Sequence, residues 1–191
     1  MALRVKAEVI AVVIVFAIAV AQGIYSPASS KNAAVSTLRH SLSPLSKLVK
    51  SHAWRAYLSL PVIILYNNLR VALANILLGF TVLTPLAIAW FNGYIIGSVA
   101  TYGNNTLRNV ILMVPHGVVE LTAILYSAAL GLRVGVEGVK KLLRRKSNLL
   151  GEFKYALSQF RYVFLLLVIA ALIESYVTPL IYLIYKLLTG A

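Results

Sequence analysis

His116 and Glu120 stand four residues apart, and Glu174 lies in the middle of a later apolar run. Four residues is about one helical turn, so an imidazole and a carboxyl at that spacing share a helix face. The chain has only five acidic residues, none of them Asp, while Glu8, Glu137 and Glu152 fall at the ends of apolar runs or between them. A carboxyl at the centre of a bilayer costs about 2.5–3.5 kcal/mol on insertion scales. Glu120 and Glu174 therefore require partners, protons or water. Three chemistries fit them, with Asn92 as a fourth polar group at similar depth. The preferred one is a buried polar cluster of neutral, hydrogen-bonded carboxyls. The second is a proton or ion relay in a transport path. The third is a metal site on His116, Glu120 and Glu174. It ranks last because a single His-x-x-x-Glu lacks the second histidine of His-Glu-x-x-His.

The elements that must position these groups are membrane helices. Of the residues, 60% are hydrophobic and 12% charged, and the mean hydropathy is +0.86. Those values exceed what a soluble domain of this length shows. The absence of cysteine excludes disulfide frameworks, thiolate metal sites and thiol nucleophiles. The formal net charge of +13 is assigned to basic loops facing anionic headgroups. Nucleic acid is not expected as a partner, since no stretch is long enough for a soluble binding module.

Residues 1–25 read as a first transmembrane helix. Ala19-Val20-Ala21 resembles a signal-peptidase site, but a retained helix is preferred because further spans follow. Residues 26–60 form a basic segment in which Leu38, Leu42, Leu45 and Val49 recur at helical spacing, with Trp54 and Tyr57 following. That pattern predicts an amphipathic helix at the interface or packed on the membrane domain. Residues 61–191 form the membrane domain proper, with spans at about 61–101, 107–139 and 160–188 and a basic loop at 140–159. Pro85, Pro115 and Pro179 interrupt these runs and predict kinked or broken helices.

The expected fold class is thus an all-α polytopic membrane bundle with four to five membrane segments. Lys140, Lys141, Arg144, Arg145, Lys146 and Lys154 place the 140–159 loop in the cytoplasm and the carboxy terminus outside. A single crossing at 107–139 gives four spans and an outside amino terminus. A hairpin there gives five spans and an inside one.

Small residues punctuate the runs. Gly93/Gly97 and Gly131/Gly135 have G-x-x-x-G spacing, which lets helix backbones approach closely. Internal packing is the preferred use of it, with a homo-oligomer interface as the alternative. Three blocks in order carry a family resemblance. The first is Asn67-Asn68 with Arg70 and Gly79, followed by Asn92-Gly93 with Gly97. The second is Pro115-His116-Gly117 with Glu120, then Gly131 and Gly135. The third is Ile169-Ala170-Ala171 with Glu174 and Thr178-Pro179.

In this order the blocks resemble the stage II sporulation protein M family of integral membrane proteins, over roughly residues 65–179. The resemblance implies a multi-pass membrane protein that assembles with envelope partners. It also implies that the protein is not itself a hydrolase. The functional expectation is a non-enzymatic scaffold or assembly subunit with no resident cofactor and no catalytic residues. A small transporter using Glu120 and Glu174, and an intramembrane metallohydrolase, are the alternatives.

Overall fold

The computed structural model describes residues 5–41 and 53–190. Of the amphipathic segment expected at 26–60, Leu42, Leu45 and Val49 lie outside these residues. The described chain forms α1 (Lys6–Tyr25), α2 (Ala28–Ser41), α3 (Ala53–Leu77), α4 (Leu83–Ala100), α5 (Thr106–Leu142), α6 (Leu149–Leu172) and α7 (Thr178–Thr189). A 3-10 turn, Gly79–Thr81, joins α3 to α4, and a π-helical turn, Ile173–Val177, joins α6 to α7. Strands do not occur among these residues. Five stretches are long and apolar enough to cross a membrane: Lys6–Tyr25, Ser59–Leu77, Leu83–Ala100, Thr106–Leu142 and Leu149–Thr189. The fold is an all-α membrane bundle.

The fifth such stretch comes from the 61–101 region and not from a hairpin at 107–139. Two features divide the former. Gly79 sits where its Cα faces the backbone of Gly131, and Val82 takes a left-handed backbone, φ 62°. Pro85 then falls in the first turn of α4, where a helix leaves its N–H groups unbonded and proline costs nothing. Pro115, by contrast, lies inside the continuous 37-residue α5. The break expected there does not occur.

Helix α5 is the axis of the bundle. Ser127 to Leu132 is buried on every side, so this part of the helix is apolar or small all round, as a fully enclosed helix must be. Helix α3 runs parallel to it: Gly131 meets the Asn75 carbonyl, and one turn on Gly135 meets Gly79. Helix α6 runs antiparallel, with Tyr126 donating to Gln159 at 3.1 Å and Arg133 facing Glu152. On the other flank α1 and α4 run parallel, Gly93 against Phe16 and Ala19, Gly97 against Val20 and Ile24. Without side chains at these glycines the backbones touch, and dispersion contacts replace the hydrophobic drive that lipid does not supply. Helix α2 lies on the end of α4 and buries Ala34 and Val35 there.

Candidate functional site

Polar groups gather at two levels of α5. At one end Arg133 donates from Nη1 to Glu8 Oε1 at 3.1 Å, and its Nε lies 3.7 Å from Glu152 Oε2. The second contact is an ion pair too long for a hydrogen bond. A turn further, Glu137 accepts from Lys140 Nζ at 2.6 Å and from the Asn148 backbone N–H at 2.8 Å, while Ser147 donates to the Glu137 carbonyl at 2.8 Å. The Glu137 carboxylate thus sits at the amino terminus of α6, where the helix dipole favours negative charge. Glu8, Glu137 and Glu152 are 7%, 4% and 7% exposed, which makes them the more enclosed acids. Sequence reasoning passed over all three, because each sits at a run's end or beyond it. The one available signal was Arg133, a cation in a run otherwise uncharged from Leu121 to Val136.

At the other level, 13 to 17 residues back along α5 and so about 20–25 Å away, His116 and Glu120 face Glu174. One donor atom from each lies within 4.8 Å of the others, and all three residues are half-buried. Helix α5 presents the first two at i, i+4, and the π turn presents the third. The His116 ring is held by Thr178, Nδ1 to Oγ1 at 3.2 Å. Thr178 lies one turn beyond Glu174. The Glu120 carboxyl is hydrogen-bonded by the side chain of Asn68, a buried residue of α3. Among the described residues no Lys or Arg pairs with Glu120 or Glu174.

The remaining motif residues divide by role. The Asn92 amide donates to the Ile88 carbonyl of its own helix at 2.8 Å, and among the described residues no hydrogen bond joins it to His116, Glu120 or Glu174. Asn67 is exposed, and Arg70 is exposed and stacks over Tyr66 at 5.5 Å. Gly117 meets nothing closer than the Met113 side chain at 3.7 Å. Pro179 opens α7 after the π turn. A shallow apolar depression of about 420 Å3, lined by Leu77, Phe80, Val134, Lys141 and Phe153, lies at the ion-pair end and away from His116.

Comparison with known proteins adds two observations. The family model described as stage II sporulation protein M matches residues 11–179. An uncharacterized protein of Methanocaldococcus jannaschii is 34% identical over 123 residues, covering 61% of this chain and 69% of that protein. No solved structure matches the chain.

Proposed function

Because the chain belongs to the stage II sporulation protein M family, we propose that it is a non-enzymatic subunit of a membrane assembly, a rigid body on which membrane or envelope proteins are organised. The observation that carries this reading is the backbone contact made by the bundle's glycines. Gly23, Gly93 and Gly97 join α1 to α4, and Gly79, Gly131 and Gly135 join α3 and its turn to α5, each with another backbone where a Cβ would stand. Helices locked in this way resist the rocking that alternating access requires. Helix α7 adds an arm with no buried residue, whose apolar surface is free for a partner helix.

In this reading the 140–148 loop faces the cytoplasm. Lys141, Arg144, Arg145 and Lys146 are exposed there beside exposed Leu142 and Leu143, a composition suited to anionic headgroups. Glu8 pairs with Arg133, so the start of α1 shares that side. With five crossings, α2 and the carboxy terminus then face outward. The native chain has no cysteine, which gives labelling a clean background. Ser36→Cys is expected to react with an impermeant maleimide on intact cells, and Ser147→Cys only after permeabilisation. The reverse pattern inverts the topology.

The cluster of His116, Glu120 and Glu174 favours a second reading, a small subunit that passes protons or an ion. Reconstitution separates the two. Proteoliposomes carrying the protein are expected to show no proton or cation flux above empty vesicles. Crosslinking from α7 in native membranes is expected to yield one discrete adduct with a membrane or envelope protein. Flux abolished by Glu120→Gln or Glu174→Gln would overturn the scaffold reading in favour of transport.

A further inference from the structure

We infer that His116, Glu120 and Glu174 form a binding site for one divalent transition-metal cation of the Zn2+ or Mn2+ class, clamping α5 to the π turn between α6 and α7. The inference is independent of the scaffold reading, since a structural cation serves a rigid subunit and a transporter alike.

Geometry is the first argument. The three donors lie within 4.8 Å of one another, yet no hydrogen bond or ion pair joins them. They are near enough to share a central ion. Ligands at about 2.0–2.2 Å from a metal bring donor atoms to roughly 3–4 Å from one another, so a small side-chain rotation closes the site. One imidazole with two carboxylates is a mixed nitrogen and oxygen set. It suits borderline divalent ions better than Mg2+ or Ca2+, which prefer oxygen throughout.

The supporting groups are the second argument. The Thr178 hydroxyl lies 3.4 Å from the Ile173 carbonyl and 3.2 Å from His116 Nδ1. With its single proton donated to that carbonyl it accepts from Nδ1–H, and Nε2 is left with a free lone pair. That is the tautomer a metal-binding histidine adopts when its other nitrogen is held by an oxygen. Asn68 holds the Glu120 carboxyl in the same supporting manner from α3. Three helices thus converge on the site.

Charge is the third argument. Arg133 of the same helix is engaged by Glu8 and Glu152, and among the described residues no Lys or Arg pairs with Glu120 or Glu174. Two neighbouring carboxylates with no basic side chain beside them are neutralised either by protons or by a bound cation. The π turn itself is a rare geometry that is frequent at functional sites. It encompasses Glu174 and ends immediately before Thr178. Because His116, Glu120 and Glu174 are half-buried and not sealed, an ion has a way in.

The test uses the full chain in nanodiscs with His40→Gln and His52→Gln, which leave His116 as the one imidazole of the three in the sequence. Equilibrium dialysis against ZnCl2 and MnCl2 is expected to give one saturable ion per chain, with a rise in Tm that EDTA reverses. Glu174→Gln and His116→Gln are expected to melt in EDTA near the parent temperature. Both are expected to lose affinity by more than the roughly 10–100-fold that loss of a supporting hydrogen bond costs, and Thr178→Ala by about that factor. Should a variant fail to fold, the parent protein loaded with Co2+ still reports, since d–d bands in the visible mark nitrogen and oxygen ligation in a closed site. Absence of saturable binding and of those bands in the folded parent would overturn the inference and assign two protons to the acids. Binding that survives both Glu174→Gln and His116→Gln would overturn it as well.

Discussion

Replacing Arg133 with methionine is expected to destabilise the protein by about 3 kcal/mol, the lower end of the 3–5 kcal/mol typical when one partner of a buried ion pair is removed. The lower end applies because the Arg133 side chain keeps 29% of its surface exposed, whereas Glu8 and Glu152 keep 9% and 8%. The loss arises less from the bonds broken than from what remains. Two enclosed carboxylates on α1 and α6 would face each other with no cation between them, and like charges that close cannot both stay ionised at low cost. The triple variant Glu8→Gln, Arg133→Met, Glu152→Gln removes both the charges and the pairing. It is expected to recover most of the loss, because neutral groups of similar volume often replace a buried ion network without penalty. Unfolding in mixed micelles, followed by circular dichroism, measures all three states. A triple variant no more stable than Arg133→Met would mean that the helices are held there by something other than charge.

That charge cluster also marks where the sequence stopped being legible. A carboxyl in the middle of an apolar run announces itself through its insertion cost, which is why Glu120 and Glu174 stood out. Glu8 lies three residues into α1 and Glu152 four residues into α6, where hydropathy imposes no such cost. Their enclosure comes from α1 and α6 flanking α5 at the same end, and only the tertiary arrangement provides that. Asn92 is the opposite case. A polar amide in an apolar helix draws attention, but its own i−4 carbonyl satisfies it.

The prolines illustrate a similar limit. Pro85, Pro115 and Pro179 look alike in sequence, each a break in an apolar run. In the structure Pro85 sits in the first turn of α4, Pro115 is carried inside α5, and Pro179 starts α7. Proline removes one donor and crowds the carbonyl four residues back. Whether a helix ends there depends on what the neighbouring residues do. The division between α3 and α4 comes instead from Gly79 and from Val82 at positive φ, and a β-branched residue in that conformation has no sequence signature. Once α3 and α4 are separate helices, the number of stretches long and apolar enough to cross is five, and the side proposed for α2 changes with it.

The glycines provide the sharpest contrast, since one substitution is expected to have opposite signs at two positions in the same helix. Gly131→Ala is expected to cost about 3 kcal/mol or more, at or beyond the upper end of overpacking penalties. Its new methyl would overlap the Asn75 carbonyl and lie 3.2 Å from the Pro85 ring. Neither neighbour is a flexible side-chain end that can move aside. Asn75 is further pinned by its amide, which donates to Ser127 Oγ at 2.9 Å and to the Ile124 carbonyl at 3.3 Å. Relief therefore requires α3 and α5 to separate, and Gly79 and Gly135 would lose their contact in the same motion. Gly117→Ala meets only the Met113 side chain at ordinary distance. It is expected to stabilise α5 by about 0.5–1 kcal/mol, the usual gain when alanine replaces glycine inside a helix. Unfolding of both variants under the same micelle conditions checks the pair. If Gly131→Ala is tolerated as well as Gly117→Ala, the backbone contact of α3 with α5 is looser than drawn, and the rigid-body argument for a scaffold loses its footing. If Gly117→Ala is stable but binds the Zn2+ probe less tightly, that glycine keeps the space beside His116 open for an ion and does not serve packing.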